Sequence, residues 1–302
     1  QGVSSAASDV YKRQVYNKAL DMWHTAWYTH QKRVNYAQTS AALTQWKKQD
    51  DLQFLREVSS VPLQQCLRHL QTAFTNFFDK RASYPRFKSR KKSRLGLEYS
   101  SSGFRFKGDD LYIARLKAPL NVVWSRDFDR SNVSMVTITK DAAGRWFVSC
   151  LGETVVKKRL VTGKTVGLDM GVKDTLVLST GEKLSPRDDR DMEKKLAKVA
   201  KYQRRLSKKQ IGSKNFAKAK TKLSKAHVKV VDARKDWIHK TTTKLVEDFD
   251  IVCIEDLNVR GMTRSARGKG RKAKAGLNRG IMSQSFACLL YTSDAADDTP
   301  CV

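Results

Sequence analysis

Apolar residues recur along this chain in three rhythms, and each rhythm predicts a different kind of element. Between residues 16 and 48, Leu20, Trp23 and Trp27 follow a helical step, which fades after Tyr36. The pattern is cleaner over 61–80, where Leu63, Leu67, Leu70, Phe74, Phe77 and Phe78 line one face. Ser60 is placed to cap that helix and Pro62 suits its first turn. A packed helical bundle is the expectation for 15–82. From 97 to 150 the runs become short and β-like: 98–101, 104–107, 111–114, 120–124, 133–139 and 146–150. Gly103, Gly108-Asp109-Asp110 and Asp141–Gly144 punctuate them, which predicts antiparallel hairpins and a small barrel. Two further runs then stand apart. Val166-Gly167-Leu168-Asp169 leads through Gly171 to Thr175–Leu178, and Ile251-Val252-Cys253-Ile254 is apolar throughout. An unbroken apolar run suits a strand buried on both faces, as in an α/β sheet.

Between those two runs the third rhythm takes over. Met192, Leu196, Val199, Gln203 and Leu206 form one stripe, and a break follows at Gly212-Ser213. Phe216, Leu223, Val230 and Trp237 then recur every seven residues, with Ala219, Ala226 and Ala233 three positions after the first three. Two matching seams joined by a short turn predict an antiparallel helical hairpin over 188–247.

Charge changes this picture from a fold to a class of partner. Lys and Arg number 59 against 30 acids, a net charge of +29. Nucleic acid is the first partner such a surplus suggests, and an anionic membrane surface the second. No apolar run approaches the roughly 18 residues of a membrane span. The five cysteines are odd in number, scattered and without a Cys-x-x-Cys pair, which disfavours a disulfide framework or a zinc ribbon and points to a reducing cytoplasm.

Candidate chemistry sits at the ends of the two apolar runs. Asp169 closes one and Glu255 follows the other, so both carboxylates are expected at adjacent strand ends. There the backbone fixes an acid while one side stays open, as a Mg²⁺ site requires. The plain alternative is two solvated acids. Tyr84-Pro85-Arg86-Phe87-Lys88-Ser89-Arg90-Lys91 interleaves cations with an aromatic, a pattern that can hold phosphates and stack a base. Arg86, Lys88, Arg90 and Lys91 are its candidate contacts, and Lys208, Lys209 and Lys214 are those of the hairpin. A solubilising face is the competing reading of each. Residues 1–14 and 289–302 lack the periodicity of their neighbours and are expected to be non-native tails.

Taken in order, these segments resemble the TnpB/OrfB family of insertion-sequence proteins, known as transposases and as RNA-guided nucleases related to type V CRISPR effectors. The resemblance is carried by Val15-Tyr16-Asn17, Phe77-Phe78 with Pro85–Ser89, and Gly144–Ser149. It continues through Gly167–Lys173, Arg205–Asn215, Arg234–Lys240, Ile254–Val259 and Asn278-Arg279 with Ser283 and Phe286. It implies a multidomain α+β and α/β chain. The parts would be a helical recognition domain (15–82), a wedge β-barrel (83–160) and an incomplete RuvC-like, RNase H-type nuclease domain (161–288) with the basic hairpin inserted.

By the same resemblance Asp169 and Glu255 are two of three carboxylates that hold two Mg²⁺ ions for phosphodiester hydrolysis. The partners would be a guide RNA and a target DNA, with no membrane, in a prokaryotic cytoplasm. Two family features are missing from 15–288: the zinc ribbon, so no zinc ligand is assigned, and the third catalytic Asp. The chain alone is therefore expected to bind nucleic acid and cleave it poorly. A non-catalytic RNA- or DNA-binding protein and a strand-transfer transposase are the alternatives.

Overall fold

A computed structural model of the chain describes residues 2–89, 95–153, 161–172, 174–185, 190–265 and 270–284. The chain divides into two compact units, Gln1–Thr154 and Val155–Val302.

The first unit opens with three helices, α1 (Gly2–His30), α2 (Tyr36–Trp46) and α3 (Ser60–Phe78). The single helix expected over 16–48 is two. Gln31 turns into the left-handed region at φ 53, and Asn35 starts α2 with a capping box closed by Gln38. Ser59, not Ser60, caps α3, its hydroxyl accepting from the Val61 N–H. Residues 2–14, set aside as a tail, continue α1. Asp9 is buried and pairs with Arg13, Lys12 donates to the Gly96 carbonyl, and the Tyr11 ring lies 4.6 Å from Phe54. Leu20, Leu43, Leu63, Leu67, Leu70 and Phe74 form the core, with Trp23 stacked on Phe74 at 3.9 Å. Burying each such side chain contributes about 1.5–3 kcal/mol, so the helical stripe read from 61–74 suffices to place α3.

The strands of this unit are β1 (Leu95–Ser100), β2 (Phe104–Lys107), β3 (Asp110–Ile113), β4 (Val133–Lys140) and β5 (Trp146–Gly152). They do not close a barrel. They form a three-stranded antiparallel sheet in the order β1-β4-β5 and a separate β2-β3 hairpin. The strand expected over 120–124 is reduced to one bridge, Leu111 to Leu120. Beyond it Trp124 turns to donate its indole N–H to the Asp109 carbonyl and to pack on Phe128, while Val123 stays in solvent. A cavity of about 630 Å³, lined by Tyr99, Ile113, Leu120, Trp124, Ile138 and Trp146 among others, takes the place of closure.

The second unit holds a four-stranded sheet of β6 (Thr165–Asp169), β7 (Leu176–Leu178), β8 (Lys183–Leu184) and β9 (Ile251–Ile254) in the order β8-β7-β6-β9. The β6–β9 pair is parallel and the others are antiparallel. The crossover that a parallel pair requires is the hairpin of α4 (Arg190–Ser207) and α5 (Lys214–Asp248). Two helices follow, α6 (Val259–Met262) and α7 (Arg271–Gln284). Val166, Leu168, Leu176 and Leu178 meet Ile238 and Leu245 of α5 and Ile281 of α7 in one core.

Two expectations are corrected here. β9 is an edge strand rather than one buried on both faces: Ile251 is 58% and Ile254 42% exposed, and only Val252 packs on the core. On α4 the inward residues are Met192, Lys195, Val199, Tyr202 and Leu206, while Leu196 is 43% exposed. The stripe runs 3-4-3-4 rather than 4-3-4-3, so the stems of Lys195 and Tyr202 replace Leu196 and Gln203 at the seam. The α5 seam keeps its expected register, with Leu223, Ala226 and Val230 buried and Phe216, Ala219, Ala233 and Trp237 half-buried.

Candidate functional site

Asp169 ends β6, and Glu255 is the residue after β9. The parallel register pairs Thr165 with Ile251 and Leu168 with Ile254, so Asp169 and Glu255 occupy the next rung of the ladder. Neighbouring strands run about 4.8 Å apart, which puts the two residues side by side at the same edge of the sheet. Both are exposed. Both line one open cavity of about 450 Å³, together with Gly167, Val177, Ser179 and Cys253. Side chains alternate along a strand. Val166 and Leu168 therefore serve the core while Gly167 and Asp169 face the open side.

The register itself has an identifiable cause that the sequence reading missed. The Asp250 carboxylate accepts from the backbone N–H of Thr162 at 2.7 Å and of Gly163 at 2.5 Å. The Asp250 N–H in turn donates to the Lys164 carbonyl at 2.9 Å. Lys164 and Asp250 are thus tied together, and five residues beyond each lie Asp169 and Glu255. The only sequence signal for this tie is an Asp immediately before an apolar run.

The chain leaves both acids through tight turns. A Cβ on Gly171 would meet the Asp174 carbonyl oxygen at 2.7 Å, so only glycine permits the bend after Met170. After Glu255, the Leu257 N–H donates back to the Glu255 carbonyl, Leu257 packs on the core, and Asn258 caps α6 by accepting from the Gly261 N–H at 2.8 Å. The Glu255-Asp256-Leu257-Asn258 stretch therefore combines an exposed acid with a local anchor. Helix α7 closes on the same neighbourhood. A Cβ on Gly280 would lie 2.8 Å from Val172, and the Asn278 amide donates to the Thr263 carbonyl at 2.8 Å.

Two hard carboxylate oxygens donors on an open edge are the ligand type that Mg²⁺ takes, with room left for its waters. Among the described residues no group of three or more His, Cys, Asp or Glu side chains gathers where it could hold a metal ion. The donor set fits a Mg²⁺ ion in type and could supply only part of its shell.

The candidate cations divide into two kinds. Arg90 and Lys91 lie outside the described residues. Arg86 is exposed, but Lys88 is half-buried. Its ammonium sits 3.9 Å from the Tyr16 ring centroid, and burial, followed by the charge of Lys12, holds its pKa below the ordinary lysine value. The side-chain amide of Asn17 pairs with the Lys88 backbone at both ends, donating to its carbonyl at 3.0 Å and accepting from its N–H at 2.8 Å. Tyr16 and Asn17 thus anchor the 84–89 segment, a role that no charge pattern announces. Lys208, Lys209 and Lys214 are different: all three are exposed at the tip of the α4–α5 hairpin. No helix among the described residues is long and apolar enough to cross a membrane.

Comparison with known proteins shows the family. The OrfB_IS605 family, described as "Probable transposase", matches residues 148–266, which contain both acids and the hairpin. InsQ of Escherichia coli K12, described as a candidate RNA-guided DNA endonuclease, is 33% identical over 287 residues, 91% of this chain and 69% of its own length. The chain belongs to the OrfB transposase family. A Streptomyces pristinaespiralis protein, also described as a candidate RNA-guided DNA endonuclease, is 48% identical over 257 residues. That match covers 84% of this chain and 63% of the relative, so the chain spans a little under two thirds of it. A Cas12f1–sgRNA–target DNA complex aligns over 96% of the chain and 71% of its own, at a TM-score of 0.48 and 14% identity.

Proposed function

We propose that this chain carries part of a RuvC-like nuclease centre of an RNA-guided DNA endonuclease, with Asp169 and Glu255 as two of its Mg²⁺-holding carboxylates. The observation that carries the reading is the parallel β6–β9 register, which brings the two acids to one rung at an open cavity. When bound, Mg²⁺ would activate a water and stabilise the leaving oxygen of a phosphodiester. The protein's own part is to hold the two carboxylates at fixed spacing, through the Asp250 tie and the Gly171 and Leu257 turns. Guide RNA would supply sequence specificity by pairing with target DNA, and exposed cations such as Arg86, Lys208, Lys209 and Lys214 would hold phosphates.

The test is Mg²⁺-dependent cutting of guide-matched DNA by this chain extended to the full length of its Streptomyces relative. Asp169→Ala and Glu255→Ala are each expected to lower the rate by about a thousandfold or more, with RNA binding retained. Unchanged cutting by either variant would overturn the assignment. One observation favours a second reading for the 302-residue chain by itself. Among the described residues no third His, Cys, Asp or Glu joins these acids in a group that could hold a metal ion, so the chain alone is expected to bind nucleic acid without appreciable cleavage.

A further inference from the structure

One end of the helical bundle carries more aromatic surface than its core consumes. Trp23 and Phe74 are buried and stacked on each other. Phe74 meets the Tyr84 ring edge-on at 5.5 Å and the Phe78 ring at 6.2 Å. Phe77 bridges the same two rings at 5.2 and 5.4 Å. The outer members of this cluster lie open to solvent: Phe78 is 44% and Tyr84 39% exposed. The Arg33 guanidinium lies over the Phe78 ring at 4.8 Å.

Core packing explains the inner rings and leaves the open faces of the outer two unexplained. Their surroundings select the partner. Lys32, Arg33, Lys80 and Arg86 are exposed in the adjoining segments, and the nearby Asp79 is paired with Arg81 at 2.5 Å. A second copy of the chain would bring these cations face to face with their own kind, which disfavours self-association. Aromatic faces framed by guanidinium and ammonium groups suit a nucleobase with its phosphates alongside.

We propose that Phe78 and Tyr84, framed by Arg33, form a stacking platform for an unpaired nucleobase. The proposal rests on the nucleic-acid reading above and names a subsite far in sequence from the two acids. It separates two kinds of contact: bases on the platform, and phosphates on the cations. The Tyr16–Asn17 anchor supports it by fixing the segment that carries Tyr84.

The experiment measures binding of the 302-residue chain, by fluorescence anisotropy, to a twelve-nucleotide oligouridine and to an abasic ribose-phosphate oligomer of the same length. Oligothymidine and its abasic counterpart form a second arm. The unaltered chain is expected to bind the base-bearing oligomer about tenfold or more tightly than the abasic one. Combining Phe78→Ala with Tyr84→Ala should bring the two within about twofold and leave abasic affinity unchanged, because phosphate contacts are untouched. Tyr84→Phe should keep the preference. Tyr84→Ala alone, at a position 39% exposed, should lose about threefold of it and guards against a double variant that unfolds. A preference in both arms assigns the platform to any unpaired base, and one in the ribose arm alone assigns it to RNA. Equal binding of base-bearing and abasic oligomers by the unaltered chain, or a preference that survives the double substitution, would overturn the platform alone. Failure to bind any of the four oligomers would overturn the nucleic-acid reading as well.

Discussion

The two larger sheets among the described residues are held together in different ways. In the first unit β4 lies between β1 and β5, and Leu97, Tyr99, Val136 and Ile138 are buried around it. Its register is written in alternating side chains, because a one-residue slip would send every one of them into water. In the second unit β9 is an edge strand of four residues, exposed at Ile251, Cys253 and Ile254. Burial cannot hold its register, and the Asp250 carboxylate does so instead by capturing two N–H groups at the entrance to β6. A strand that delivers an acid to an open edge is steered from its other end.

Thiol chemistry breaks this comparison most sharply. Cys66 lies in the helical core, where burial pushes its thiol up to about 12. Against an ordinary thiol of about 8.5, that leaves it less than about a thousandth of the usual thiolate at neutral pH. Iodoacetamide at pH 7.5 should therefore modify Cys253, exposed on the open face, and spare Cys66 until the chain unfolds. Peptide mapping with and without urea reads the difference, and native labelling of Cys66 would show that the core breathes.

Leu97→Ala comes next in size. Leu97 is fully buried and sits opposite Ile138, so its truncation should cost about 2–5 kcal/mol in urea unfolding. Asp250→Ala hands two solvent-exposed backbone donors to water and should cost about 0.5–1.5 kcal/mol. In the extended protein it should also lower cutting, while Asp250→Asn, which keeps one acceptor oxygen, should recover much of that loss. Retention of full cutting by Asp250→Ala would show that burial fixes the β9 register after all. The smallest effect is expected at the candidate site. Asp169→Asn removes an exposed charge and should change stability by no more than about 0.5 kcal/mol. A stability loss of the size seen for Leu97→Ala would make Asp169 a structural residue.

What the sequence determined by itself is local and periodic. The 63–74 stripe, the seven-residue recurrence on α5 and the short β runs each reflect burial of one face, and one face is visible as a period of 3.6, 3.5 or 2. The positions of Asp169 and Glu255 at strand ends were legible for the same reason: a polar residue terminates an apolar run. The tertiary structure alone decided which strands would be neighbours. The choice of β6 beside β9 in parallel depends on an 81-residue connection and a carboxylate cap at Asp250, which leave no periodic trace.

Tertiary contact likewise decided the fate of single residues whose type suggested another role. Within its basic run Lys88 suggests a phosphate contact, yet Asn17 and Tyr16, 71 and 72 positions away, turn it inward. Leu196 suggests a core position, yet the seam on α4 is set by where α5 lies, and Lys195 and Tyr202 face it instead. Hydrophobicity says that a residue gains by burial. Only the geometry of the partner element says which residues can reach it, because a helix presents a stripe and its neighbour chooses the centre line.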